Sequence, residues 1–214
     1  MKLLVFITSA EIPAPADFAM RLRETATSAL QRTSEVRACV LNLADVQPLW
    51  PSDPAMGALA APPACDALLE LWLEADASVP ALADFAPAGA CCAAYRVEET
   101  VDLAGPPKGV RAINGWTGFA GIAPDELRRR WDALLPLSLR VQAAASSHVR
   151  DWVVERLTLD APPLSGITSV GFASAAALGV DQYDSPEAAY ALLEAGSAFM
   201  ADEWTLFARV ERLR

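Results

Sequence analysis

The chain of 214 residues carries 27 acidic against 17 basic side chains, for a formal net charge of −10, and 53% of it is hydrophobic. That charge repels phosphate backbones and excludes nucleic acid as a partner. No apolar run approaches the roughly 20 residues that span a bilayer, so no membrane is implied. The apolar fraction promises a large core, with surface left for an interface such as a homodimer.

Four cysteines, Cys39, Cys65, Cys91 and Cys92, show no CxxC spacing, and the chain has one histidine, so no zinc-type ligand set and no metal site is expected. The cysteines read as reduced, buried thiols. The opening Leu3-Leu4-Val5-Phe6-Ile7 is shorter than the roughly 7–15 residues of a secretory h-region and reads as a strand of a cytoplasmic protein.

That first strand, Lys2 to Thr8, is apolar on both faces, so both must be covered. Ile12-Pro13-Ala14-Pro15 breaks it, and Phe18, Leu22, Ala26 and Ala29 then recur at helical spacing, with Asp17 in the first turn. Glu35 to Leu43 reads as a second strand, and the proline-rich Gln47 to Pro63 as a long irregular connection. Ala67 to Leu73 is a third strand, Val79 to Phe85 a short helix, and Ala90 to Val97 a fourth strand. After Gly105-Pro106-Pro107-Lys108-Gly109 the order starts again. Val110 to Thr117 is a strand, Pro124 to about Gln142 a helix or a helix pair kinked at Pro136, and Trp152 to Leu159 and Ile167 to Ala173 are strands. Pro186 to Phe199 is a helix entered through Asp184-Ser185, and Trp204 to Glu211 the closing strand.

The two halves share a phrase, since Tyr95-Arg96-Val97-Glu98 returns as Phe207-Ala208-Arg209-Val210-Glu211. They also share a helix opening, Ala14-Pro15-Ala16-Asp17 against Ala123-Pro124-Asp125-Glu126. The class is therefore α+β, two ferredoxin-like βαββαβ repeats at 1–103 and 110–214 joined by a linker at 104–109. Each four-stranded sheet has a second apolar face, and each aliphatic side chain left wet on it would forfeit about 1.5–3 kcal/mol. Packing the two sheets against each other into a barrel removes that cost, so the chain reads as a dimer written in one polypeptide.

Pro124 to Trp131 with Pro136-Leu137, then Val153 to Leu157, then Met200-Ala201-Asp202-Glu203-Trp204, resemble the EthD-like family of the dimeric α+β barrel superfamily. The resemblance spans most of 110–214 and more faintly 1–103. It implies an intramolecular dimeric α+β barrel and a cofactor-independent enzyme for small apolar, aromatic or polyketide-like compounds. The chain departs from the family at Leu134-Leu135, where the pattern has a histidine before proline-leucine.

The one imidazole, His148, lies in Ser146-Ser147-His148-Val149-Arg150, before the expected strand. It is either an acid or base poised near neutral pH or a loop histidine satisfied by backbone or water. Asn114, Trp116, Trp131, Trp152, Trp204 and Tyr183 all fall in the second half, where they either wall a pocket for a flat apolar ligand or pack as core. Asn114 and Trp116 share a strand face. Glu70 and Glu155 in apolar strands are either proton acceptors or partners of Arg37, Arg111 or Arg156. No nucleophile elbow lies near the histidine, which argues against Ser/His/Asp hydrolysis, and Gly115, Gly118 and Gly121 do not match a dinucleotide loop. Two functions remain: an enzyme with its cleft in the second half, or a non-catalytic barrel binding a hydrophobic small molecule or a protein partner. An ionisable group inside the cleft is the feature that separates them.

Overall fold

The structure is a computed structural model that describes residues 1–9, 15–46, 65–105, 109–180 and 182–214. The expected break at Ile12 to Ala14, the whole proline-rich connection from Gln47 to Pro63 and the centre of the linker lie outside these residues. In chain order the elements are β1 (Lys2–Ser9), α1 (Pro15–Arg32), β2 (Val36–Leu43), β3 (Ala67–Leu73), a 3₁₀ turn (Leu82–Phe85), β4 (Ala90–Leu103) and β5 (Gly109–Gly118). Then come α2 (Pro124–Val141), β6 (Ser147–Arg156), β7 (Gly166–Phe172), α3 (Ala175–Val180), α4 (Pro186–Ser197) and β8 (Met200–Arg212).

Eight strands close into one barrel in the order β1-β3-β2-β8-β5-β7-β6-β4, with every neighbouring pair antiparallel. Within the first four strands the order is β2-β3-β1-β4, and within the last four β6-β7-β5-β8. The sheets meet edge to edge rather than as separate stacked layers. Val40–Leu43 of β2 pairs with Arg212–Arg209 of β8, and Tyr95–Leu103 of β4 pairs with Arg156–His148 of β6. The phrase that occurs twice in the sequence thus sits in the two strands that join one half to the other. Closure leaves no sheet edge open, which is why such long apolar strands do not template aggregation.

Closure also explains why strands are apolar on both faces. On β1, Leu3, Val5 and Ile7 are fully buried with Phe18, Leu22 and Ala26 of α1. Leu4 and Phe6 of the same strand point into the lumen with Leu68, Tyr95, Ile113 and Leu206. On the outer face of the second half, α3 packs on Val110, Ala112 and Phe172, while α2 covers Trp116 through Leu127 and Trp131.

Several boundaries differ from those expected. β6 begins at Ser147 rather than Trp152, β4 runs on to Leu103 and β8 starts at Met200. In each case the extra residues include polar ones, such as His148, Glu98 and Glu203, whose ladder partners, not their own propensity, hold them extended. α2 is one helix with Pro136 inside it, and the first half has a 3₁₀ turn where a helix was expected. Cys39 and Cys65 are buried thiols pushed up to about 12 by burial, whereas Cys91 is exposed, contrary to expectation, and Cys92 half-buried.

One end of the lumen is charged. The Lys2 ammonium, 3% exposed, lies 2.9 Å from Glu70, 2.5 Å from Glu99 and 2.9 Å from Asp151. Glu70 also takes Arg111 and accepts from Asn42 Nδ2 at 2.9 Å, so of the expected partners Arg111 is the one that reaches it. Glu155 pairs instead with Arg96 at 2.8 Å. Burial works against every charge here, but two cations hold the Glu70 carboxyl down at about 2. Asp151 shares only Lys2, and its Oδ1 has no donor, so burial wins and lifts it to about 7.

A carboxyl raised from 3.8 to about 7 binds its proton more tightly folded than unfolded, so its contribution to stability is complete below the unfolded value and is lost as pH rises through about 7. Asp151→Asn should therefore raise the melting temperature relative to wild type, by more at pH 8.5 than at pH 5. Thermal melts at the two pH values check this, and an equal effect at both would contradict it.

Candidate functional site

The site lies on the outer face of the second half, beneath α2 and α4. Three rows of side chains cross that face, set by register. His148, Val170, Ala112 and Phe207 form one row, Arg150, Thr168, Asn114 and Thr205 the next, and Trp152, Gly166, Trp116 and Glu203 the third. Alternation along β6 turns His148, Arg150 and Trp152 toward the helices and Asp151 into the lumen.

The imidazole is 1% exposed and held at both nitrogens. Nδ1 is 2.9 Å from Asp102 Oδ2, and Nε2 is 3.3 Å from Ser138 Oγ on α2. The Asp102 carboxylate also accepts from Arg150 Nε at 2.9 Å and from a second guanidinium nitrogen at 3.1 Å, while a third reaches Asp132 at 2.7 Å. Asp102 is the residue the β4–β6 ladder skips between Val101 and Leu103, a bulge that aims the carboxylate at both partners. An ionised carboxylate can only accept, so Nδ1 carries the proton and Nε2 keeps its lone pair. Burial lowers the His148 pKa below its ordinary value, the Asp102 hydrogen bond opposes that and Arg150 adds to it. The ring is therefore neutral near pH 7.

Beside Nε2 opens a cavity of about 70 Å³. Trp116 and Trp131 form its aromatic wall, Leu134, Leu135, Leu192, Leu193 and Met200 its aliphatic cover, and Asn114, Ser138, Gln142, Arg150, Tyr183 and Glu203 its polar groups. Burial pushes the Tyr183 hydroxyl up to about 12 and raises Glu203. Thr205 Oγ1 donates to Asn114 Oδ1 at 2.7 Å, so the amide nitrogen of Asn114 is turned to other partners. Across Trp131 and Arg150 lies an outer cleft of about 250 Å³ with Thr100, Arg128, Asp132 and Trp152 on its walls.

Of the residues singled out from the sequence, His148, Asn114, Trp116, Trp131 and Tyr183 line the inner cavity. Trp152 lines the outer cleft and packs on Trp116 and Trp131, each at 6.1 Å between ring centroids. Trp204 is elsewhere. It points into the lumen, edge-on to Phe6 at 5.4 Å, because β8 places residues 204, 206 and 208 inward and Gly115 leaves room for the indole. His148 is in a strand rather than a loop. Asp102, Ser138, Gln142, Arg150 and Glu203 were not singled out, although the polar alternation Glu98, Thr100, Asp102 marks one face of a longer β4.

The chain has an α+β fold built on a closed eight-stranded antiparallel barrel, and solved structures share it. The chain is similar to an anthrone oxidase-like protein, with TM-score 0.60 and 11% identity over 99% of this chain and 93% of that one. It is also similar to a candidate monooxygenase from Fusobacterium nucleatum subsp. nucleatum, with TM-score 0.54 and 8% identity over 100% of this chain and 92% of that one. No family model matches the sequence. No curated protein matches it either. At such identities the likeness establishes the fold alone.

The aromatic wall depends on a glycine. A Cβ on Gly166 would stand 2.8–2.9 Å from the Trp116 indole, which is fully buried against Trp131 and Phe199. Gly166→Ala should cost about 1–3 kcal/mol by overpacking, read from urea denaturation. A neutral substitution would mean that the indole has room to shift.

Proposed function

We propose that the chain is an EthD-like, cofactor-independent enzyme that transfers a proton on a small apolar or aromatic carbonyl or phenolic compound, with His148 as the base. The observation that carries this is the sole imidazole of the chain, buried, fixed by Asp102 at Nδ1 and presenting Nε2 beside a cavity walled by two indoles. The cavity therefore meets the condition that a catalytic reading sets and a mere binding barrel does not, an ionisable group inside it.

The chemistry follows from the placement. Nε2 takes a proton from a C–H or O–H of the substrate, and the resulting imidazolium forms beside the Asp102 carboxylate, so no unpaired positive charge is created in the apolar cavity. Arg150 holds that carboxylate by two of its nitrogens and keeps the imidazole in one orientation. Asn114, with its oxygen already occupied by Thr205, offers N–H groups to an enolate or phenolate oxygen. The cavity of about 70 Å³ is under half of the roughly 150 Å³ that houses a benzene ring. The inner cavity thus takes the reacting end of the ligand, and the outer cleft across Trp131 and Arg150 takes the remainder.

Leu134 and Leu135, which stand where the family pattern has its histidine, line the same cavity that His148 enters from the sheet. The imidazole is then supplied by the floor instead of the roof. In the same reading the barrel is two ferredoxin-like repeats, 1–103 and 110–214, joined at 104–109, and the equal strand orders of the two halves support it. Only the second repeat would carry a site, since α1 packs directly on the aliphatic outer face of the first.

The single histidine makes the test direct. In D₂O, the folded protein should speed exchange of the α-protons of a small aryl ketone, followed by proton NMR, and His148→Gln should reduce that rate about 10²–10⁴-fold. Because the neutral ring is the active form and its pKa lies below 6.5, the rate should hold through neutrality and fall as pH drops through that lowered value. Asp102→Asn should also lower the rate by removing the acceptor that fixes the tautomer. If small aryl ketones and phenols move the imidazole signal but no exchange follows, the barrel is a binder.

A further inference from the structure

We infer that Ser138 is a nucleophile, and that the cavity accepts small esters, whose acyl group passes to Ser138 Oγ and then to water. The inference rests on the assignment of His148 as a base and adds the group it deprotonates and the substrate class. Asp102, His148 and Ser138 come from β4, β6 and α2, lying 46 and 10 residues apart in sequence, yet they form a continuous carboxylate–imidazole–hydroxyl chain with links of 2.9 and 3.3 Å. Such a constellation is recognised by geometry and not by the order or spacing of its members. That is why no elbow motif marks it.

Ser138 has two acceptors for one hydroxyl proton, His148 Nε2 at 3.3 Å and Gln142 Oε1 at 3.0 Å. With the ring neutral, the proton can pass along the first contact and leave Oγ as an alkoxide in the act of attack. With the ring protonated, Nε2–H donates to Oγ and the hydroxyl turns to Gln142. The pair of contacts thus serves both protonation states of the imidazole, which a serine placed only to pack would not require. Ser138, Gln142 and Arg150 all line the inner cavity, so the polar groups that could face an acyl oxygen converge there.

The step balances without a further reagent. The Oγ–H proton moves to Nε2, the Oγ–C(acyl) bond forms, and the negative charge on the acyl oxygen is met by the Gln142 amide and the Arg150 guanidinium. The ester C–O bond then breaks, and the leaving alcohol takes the proton from Nε2. Water repeats the sequence and releases the carboxylic acid, returning Ser138 and His148 to their starting forms.

The test is to incubate the intact protein with p-nitrophenyl acetate, quench in acid, and map the acetyl group by mass spectrometry of the peptides. One acetyl on Ser138 is expected, absent in Ser138→Ala and formed about 100-fold more slowly in His148→Gln. Ser138→Cys, close in volume, gives a second measurement: its thiol should react with iodoacetamide faster than the same thiol in the Ser138→Cys, His148→Gln double variant, since His148 would draw off its proton. Absence of an acetyl group on Ser138, or equal rates with and without His148, overturns the inference. If Ser138 stays unlabelled while ketone exchange depends on His148, this inference falls and the proton-transfer reading stands. If neither reaction depends on His148, both fall.

Discussion

The closure of the barrel is the constraint on which the rest of the structure depends. Two antiparallel edge pairings, β2 with β8 and β4 with β6, convert two four-stranded sheets into one surface without an edge. Each strand must then satisfy a lumen face and a helix face at once. The hydrophobic effect accounts for the aliphatic strands of the first half, where Leu3, Val5 and Ile7 lie against a helix and Leu4 and Phe6 fill the lumen. The same arithmetic forces any polar residue on these strands to find a buried partner, because an unpaired charge in such a place would not survive the cost of desolvation.

β6 meets that requirement on both of its faces. On one side Asp151 joins Lys2, Glu70, Glu99 and Arg111 in the lumen, and on the other His148 and Arg150 share Asp102 beneath α2. One strand therefore separates two charge systems by the thickness of a backbone. Lys2 occupies the space among the three carboxylates that a cation would take, and the network is self-neutralised apart from one negative charge. The outer system differs because it borders empty space. Its imidazole, hydroxyl and amide groups line a cavity.

The two halves differ in what covers their outer faces. α1 lays a continuous apolar stripe on β1, β2 and β3, with the buried Cys39 thiol among its residues. In the second half, α2 and α4 stand over a floor that holds Trp116, Asn114, Thr168 and His148, and the bulky indoles hold the helices off the sheet. Closure needs the edges of both sheets, but the outer face of each half is independent of the other, so the two faces can be covered differently.

Hydrophobic patterning by itself determined a good part of this protein. Strands apolar on both faces, the recurrence of Tyr95-Arg96-Val97 as Phe207-Ala208-Arg209-Val210, and the paired helix openings carry the α+β class and the barrel, because burial periodicity is a local property of the chain. Asn114 and Trp116 on one face of β5 were legible for the same reason. The site itself was only half legible. His148 looked like a loop residue because Ser146-Ser147-His148 has no strand propensity of its own, and only the ladders with β4 and β7 extend it. Asp102 is aimed by a bulge that no residue type announces, and Ser138 meets Nε2 only after α2 docks. Trp204 went to the lumen because one step of register decides which face a side chain takes. Contacts between residues far apart in sequence are set by register and packing, which exist only once the chain has closed.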